Sequence, residues 1–499
     1  MKNKLNNPWI LLILLLTLSY GCSNDDDDNS NTGTVELNSE VNDFIWKGMN
    51  YWYYYQNQVE NLADTKDDDQ DSYYTYLNKY SSSEELFNSL VYTQEDDFSW
   101  YIDDVEEQDN AFRGISESYG INLGYAVYTD DTETDIVVYV AYVSKNSPAS
   151  EAGIERGDLI YKVDGTTLNG DNIGLINKLF TESSISLGFV EVTNEGMVYD
   201  ENDITLSPVI LNENPVYYHD IIEKNGVKIG YLVYNSFVHT YHQELNDVFA
   251  EFKSQNINEL VLDLRYNGGG SVLTSAFLAS MIDGNVAQGK IFAELVYNQK
   301  RDEDQGAEYP FFDEGFLYDK TTGEHSGDFT INRLSTLNRL YVLTTSYTAS
   351  ASEMIINGLR PYMDVVVVGG TTVGKNEGSI TVYDSEGDYT KSENRNPNHN
   401  VGMQPIVFQI FNSANESNYD DGFVPDFALD EGDFAATIKP FGDEEEILLK
   451  TAINDITGMS ARQSLSNSFG FTIAAKVKGK KFSTAMYMLP SDVNQLNQQ

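Results

Sequence analysis

Residues 340–378 read LYVLTTSYTASASEMIINGLRPYMDVVVVGGTTVGKNEG, and this stretch decides the fold. Leu340 to Thr344 and Val365 to Val368 are apolar runs of strand type, rich in β-branched residues. Between them Ser352 to Leu359 has helix-forming composition and stops at Arg360-Pro361, because the residue before a proline is pushed out of the helical region. Ser350 therefore stands where a strand hands over to a helix, a place that aims a hydroxyl outward beside unpaired backbone N–H groups. Lys375 follows the second strand in a glycine-rich turn. A serine needs a base to act as a nucleophile, and lysine serves only when burial or neighbours lower its pKa. The residues alone leave a plainer reading open, in which Ser350 is an N-cap and Lys375 a solvated turn lysine.

Thr348-Ala349-Ser350-Ala351-Ser352-Glu353, then Val368-Gly369 and Gly374-Lys375, resemble the core of the carboxy-terminal processing (tail-specific) serine peptidases. The resemblance implies Ser350 as nucleophile and Lys375 as base. A second landmark is Glu259-Leu260-Val261-Leu262-Asp263-Leu264-Arg265, a buried-type strand running into Tyr266-Asn267-Gly268-Gly269-Gly270. Glycines let a backbone approach a ligand closely and expose N–H groups. By resemblance the oxyanion hole falls to Gly269 and Ala351, with Gly268 or Gly270 as alternatives to the first. Gly422-Phe423-Val424-Pro425-Asp426 matches the closing segment of the same pattern. Two positions depart from it. Ser379 stands where many members carry a glutamine that orients the lysine, and Pro361 where some carry an aspartate.

Upstream, Ile136 to Val143 is a β-rich run. It leads into Ser147-Pro148-Ala149-Ser150-Glu151-Ala152-Gly153-Ile154-Glu155-Arg156-Gly157-Asp158-Leu159-Ile160 and Val163-Asp164-Gly165, which resembles bacterial PDZ domains. Such domains add a peptide as a strand at a sheet edge and hold its terminal carboxylate on backbone N–H groups. The loop for that falls at Gly120-Ile121-Asn122-Leu123-Gly124. Further back, Val41, Phe44, Ile45, Met49 and Trp52 keep helical spacing, the aromatic run Tyr51 to Tyr55 reads as a helix–helix contact, and Ser82 to Leu90 reads as a short helix.

The chain begins with Lys2 and Lys4 before an apolar run from Trp9 to Leu16, too short to span a bilayer but right for a signal peptide. Cys22, the sole cysteine, follows Leu18-Ser19-Tyr20-Gly21, so no disulfide forms within the chain. This arrangement resembles a bacterial lipoprotein acceptor, and Ser23-Asn24 with Asp25 to Asp28 resembles the acidic tract of Bacteroidetes surface lipoproteins. It implies lipid anchoring at Cys22 to the outer membrane, on its periplasmic face or at the cell surface.

With 78 acidic against 31 basic residues the formal charge is −47, which argues against nucleic acid or anionic lipid as a partner. No Cys/His cluster or H-E-x-x-H points to a metal, and nothing calls for a cofactor.

The expected organisation is a signal peptide (1–21), an acidic linker (22–38), a helical region (39–110), a PDZ domain (111–205), a protease core (206–456) and an unassigned extension (457–499). The core is expected to be α/β, a mostly parallel sheet with helices, ClpP/crotonase-like by resemblance. Residues 284–338, polar and acidic, read as an insertion or surface excursion. Glu444 to Ile456 reads as a helix. The implied function is that of a serine endopeptidase, a hydrolase cleaving proteins or peptides with PDZ-assisted recognition of free C-termini. The alternative is a non-catalytic, PDZ-bearing peptide-binding lipoprotein. Gly369 to Lys375 also fits a phosphate-binding loop, but Asn376 replaces the Ser/Thr that would hold Mg²⁺. A histidine base from His219, His239, His242, His325 or His399 is a further alternative.

Overall fold

The computed structural model of the 499-residue chain describes residues 34–129, 134–459, 471–477, 479, 482–489 and 492. The signal segment, Cys22 and most of the acidic linker lie outside the described residues.

Valine- and leucine-rich strands that are apolar throughout, rather than on alternate residues, need cover on both faces, and such strands favour parallel pairing under helices. The central sheet follows this rule. Its six strands run in the order Val216–Lys224, Val227–Tyr234, Glu259–Asp263, Arg339–Thr344, Asp364–Gly369 and Phe427–Ala428. The first pairing is antiparallel and the other four are parallel. On one face lie helices His242–Gln255, Val272–Ile282 and Ala351–Leu359, whose apolar side chains join one large core. Ile447–Ile456 covers the other face through Leu448, Leu449, Ala452 and Ile453.

A second six-stranded sheet is mixed: Gly270–Ser271, Met486–Tyr487, Glu377–Ser379, Ile406–Asn412, Ile291–Tyr297 and Ala307–Pro310. Two of its strands come from 284–338. That stretch is therefore not a surface excursion, since Phe292, Tyr309, Phe311 and Leu334 are buried in the main core. Its acidic residues alternate with these buried ones, so average polarity hid the strands. After Lys375 the chain forms two short strands, Glu377–Ser379 and Val382–Tyr383, which join different sheets.

The N-terminal helices Glu40–Trp52, Gln70–Leu77 and Ser83–Leu90 start at Ser39, Asp69 and Ser82, whose side chains accept from the first-turn N–H groups. Phe44, Ile45, Met49 and Trp52 pack into the same core as the helices on the central sheet, and Trp100–Ile102 pairs with Gly402–Gln404.

The PDZ sheet is antiparallel throughout: Thr472–Lys476, Ile121–Tyr128, Ile136–Val143, Leu159–Val163, Ile185–Thr193 and Gly196–Tyr199. Its first strand comes from the extension that the sequence left unassigned, as does Met486–Tyr487 in the mixed sheet. The PDZ sheet is bolted to the core through Arg156, whose guanidinium meets Glu431 and donates to Tyr266 Oη at 2.8 Å. Glu431 also accepts from Arg265 at 2.7 Å. Arg265 is buried and further paired with Asp263 at 2.8 Å and Glu446 at 2.9 Å. Burial pushes the Glu431 carboxyl up, but Arg156 and Arg265 beside it pull harder and hold it below the usual range.

Candidate active site

Ser350 lies at the end of the loop leaving strand Arg339–Thr344, immediately before helix Ala351–Leu359. Its backbone sits at φ +66°, ψ −121°, a region that costs a non-glycine residue strain and that holds only where the surroundings impose it. They do so here through side chains. Thr348 Oγ1 accepts from Thr345 N and donates to Leu264 O, while Asn267 O accepts from Ala349 N at 3.2 Å and Ser352 Oγ at 3.0 Å. Ser350 Oγ is fully buried and has no hydrogen-bond partner among the described residues.

Glu353 joins the nucleophile turn to the lysine turn. Its Oε2 accepts from Ser350 N at 2.7 Å and from Lys375 N at 2.9 Å, and its Oε1 from Gly374 N and Thr372 Oγ1, each at 2.6 Å. Ser350 and Lys375 are thus tied backbone to backbone through one oxygen. The same contacts dispose of the phosphate-loop alternative, because a protein carboxylate already fills the N–H cradle. Burial pushes the Glu353 carboxyl up from its ordinary value, against the pull of these four donors.

Lys375 is 1 % exposed, and burial lowers its amine to about 8, against the opposing pull of Glu377, Asp96 and Glu353. Its Nζ lies 4.6 Å from the centroid of the Phe98 ring and donates to Thr484 O at 2.8 Å. Glu377, two residues on, is pushed by burial to about 7 and accepts from Tyr55 Oη. Tyr53 Oη donates to Asp96 at 2.7 Å. The aromatic run Tyr51 to Tyr55, which leaves the first helix, therefore packs as a contact and also furnishes the Tyr53 and Tyr55 hydroxyls to the carboxylates around the lysine. Sequence reasoning missed Glu377, Asp96, Phe98 and Tyr55. The legible signal was a glutamate two residues beyond the lysine, at the start of the short strand Glu377–Ser379.

Gly269 lies against the nucleophile: a Cβ added there would come within 2.6 Å of Ser350 Cβ and 2.9 Å of Ala485 O. Its N–H, however, already donates to Asn267 Oδ1 at 2.9 Å, which differs from the expected oxyanion role. Ala351 N–H heads the helix, where no intrahelical acceptor exists. Ser379 does not stand in for the orienting glutamine in this structure. Its Oγ donates to Met486 O at 2.9 Å and accepts from Gln404 Nε2 at 3.0 Å. The histidines lie elsewhere. His242 bonds Phe316 O and Thr274 Oγ1, and burial lowers His239 to about 3 and His242 to about 4.

Of the expected peptide loop, Gly120 takes φ +85° while Ile121 to Gly124 open the Ile121–Tyr128 strand. Gly124 O accepts from Tyr347 Oη of the nucleophile loop at 2.9 Å. The strand added to this edge pairs with Tyr125 to Tyr128, one step beyond the expected loop.

Three segments of the chain match described families: residues 228–400 peptidase family S41, 40–100 the peptidase S41 N-terminal domain, and 139–175 a PDZ domain. A protein of Staphylococcus aureus named "Probable CtpA-like serine protease" is 24% identical over 364 residues, 70% of this chain and 64% of the relative. The carboxy-terminal processing protease CtpA of Bacillus subtilis is 25% identical over 292 residues, 57% of this chain and 53% of that protein. The chain thus spans somewhat under two thirds of these relatives. Among solved structures, an S41 protease of Bacteroides fragilis superposes with a TM-score of 0.64 at 26% identity, covering 83% of this chain and 97% of that one.

Proposed function

Because this chain belongs to peptidase family S41, we propose that it is a serine endopeptidase of the carboxy-terminal processing type, with Ser350 as nucleophile and Lys375 as base. The observation that carries the reading is the single Glu353 carboxylate that ties a strained, buried Ser350 to a buried lysine of lowered pKa. Neutral Lys375 takes the Ser350 Oγ proton as Oγ attacks the peptide carbonyl carbon. Ala351 N–H faces the developing oxyanion, and Gly269 N–H joins it once Asn267 Oδ1 releases it. The lysine returns the proton to the leaving amine, and water then hydrolyses the acyl-enzyme. A closed site strengthens each of these interactions by excluding solvent.

The rest of the reading extends from there. Substrates are proteins or peptides with free C-termini, which the PDZ edge draws in as a strand. The parallel central sheet with helices supports the ClpP/crotonase-like class. Lys2, Lys4, the apolar run and Cys22 support export and lipid anchoring at the outer membrane.

The test is hydrolysis of unfolded casein from pH 6 to 10. Since the lysine must lose its proton to act, and its folded pKa is depressed toward 8, kcat rises about tenfold per pH unit below that value and levels above it. Lys375→Ala loses roughly 10²–10⁴-fold and the rise with it. Peptide binding without hydrolysis in wild type, or a Lys375→Ala variant that keeps the profile, defeats the proposal.

A further inference from the structure

The strand beside the nucleophile belongs to this chain's own C-terminal segment. Thr472–Lys476 lies antiparallel on Ile121–Tyr128 and runs toward the residue-121 end, the course a PDZ ligand follows. Val477 is buried among the PDZ core residues, and its N–H donates to Tyr347 Oη at 2.9 Å. Lys476 donates to Ser346 O and lies over the Tyr347 ring. The segment thus crosses the loop that leads to Ser350. Met486–Tyr487 then fills a slot between Gly270–Ser271 and Glu377–Ser379, parallel to both.

Within the cleft the segment is held as a substrate main chain would be. Thr484 O receives Lys375 Nζ, Met486 O receives Ser379 Oγ at 2.9 Å, and Met488 N donates to Ser379 O at 3.2 Å. Ser483 O lies 2.0 Å from where a Cβ on Gly268 would stand, so the glycine run and the segment fit against each other with no room for a second chain. With it in place Ser350 is 0 % exposed.

We propose that residues 471–477 and 482–489 are an intramolecular occupant of the peptide cleft, the first at the PDZ edge and the second beside Ser350, each taking the strand position of a substrate. The inference rests on the peptidase reading above. A polypeptide reaches Ser350 only after displacing this segment, and a polypeptide whose own end pairs with Tyr125 to Tyr128 is the class best placed to do so. The segment is tethered, so its effective concentration is on the order of millimolar, and only a ligand that competes at both sites displaces it readily.

The test uses the full chain. Val477→Asp combined with Met486→Asp places carboxylates where both side chains are buried, which drives the segment out. Lys476→Glu, at an exposed position, removes the Ser346 and Tyr347 contacts with little risk to folding. Two rates are read: casein hydrolysis, and labelling of Ser350 by a fluorophosphonate. Expected are increases of about tenfold in the double variant and about threefold in Lys476→Glu, as a closed population shifts open. A synthetic 471–489 peptide at roughly millimolar concentration returns both to the wild-type rate. Hydrolysis and labelling at wild-type rates in both variants overturn the inference and leave the peptidase reading standing. Absence of either reaction in every protein, wild type included, overturns both.

Discussion

Ser350→Ala is expected to abolish hydrolysis, with kcat falling on the order of 10⁴-fold or more, because the proposed mechanism forms the acyl-enzyme on the Oγ removed. The loss will not come from misfolding. Ser350 Oγ has no hydrogen-bond partner among the described residues, so its removal strands no buried donor or acceptor. The nucleophile turn is held by Thr348, Asn267 and Glu353, all untouched by the substitution. A melting curve superposable on wild type, together with loss of the fluorophosphonate adduct at residue 350, establishes the point. Residual cleavage near the wild-type rate would place the nucleophile elsewhere. It would reopen the histidine alternative, in which His239 and His242 are weakened as bases by burial and His242 has both ring nitrogens engaged.

The largest loss of stability is expected at Arg265. This guanidinium is buried, and its donors meet Asp263, Glu431 and Glu446 at 2.7–3.0 Å. Arg265→Ala leaves three carboxylates in a low-dielectric interior with Arg156 as the remaining guanidinium beside them. Breaking such a network from one side costs about 3–5 kcal/mol, far more than the pairs contribute net, because uncompensated charge remains behind. Urea unfolding of the variant should show an unfolding free energy lowered by that amount, and Arg265→Lys should restore little, since a point charge cannot serve three carboxylates at once. A loss under 1 kcal/mol would mean that water or protonation relieves the site. The network also explains why an arginine stands just after the strand Glu259–Asp263, on the way into the glycine run. It bonds the central sheet to the segments carrying Glu431 and Glu446, and through Glu431 to Arg156 of the PDZ sheet.

Strand, helix and strand around Ser350 were legible because each is locally consistent: β-branched apolar runs, a helix-forming stretch between them, and a proline at its end. The PDZ domain was legible by resemblance, carried by Ser147 to Ile160 and Val163-Asp164-Gly165 beside the β-rich run Ile136 to Val143. The strands within 284–338 were hidden by charged residues on their exposed faces. Thr472–Lys476 and Met486–Tyr487 could not be read at all, being short elements whose strand character comes from distant partners such as Tyr125 and Ser379. The Ser350/Lys375 pair was named by resemblance, since spacing alone left an N-cap serine and a solvated lysine open, and the lysine's surroundings could not be read. Asp96, Phe98, Tyr55 and Glu377 meet only in the fold, and no local pattern links a helix near residue 50 to a turn near residue 375.

The left-handed backbone at Ser350 carries a consequence for how this chain would change under selection. Glycine would relieve a torsional cost on the order of 1–3 kcal/mol at that position. A screen for heat resistance that ignored turnover would therefore favour Ser350→Gly, a sturdier protein with no nucleophile. On the peptidase reading the serine is there for its chemistry, which sets thermotolerance and catalysis against each other at a single torsion angle.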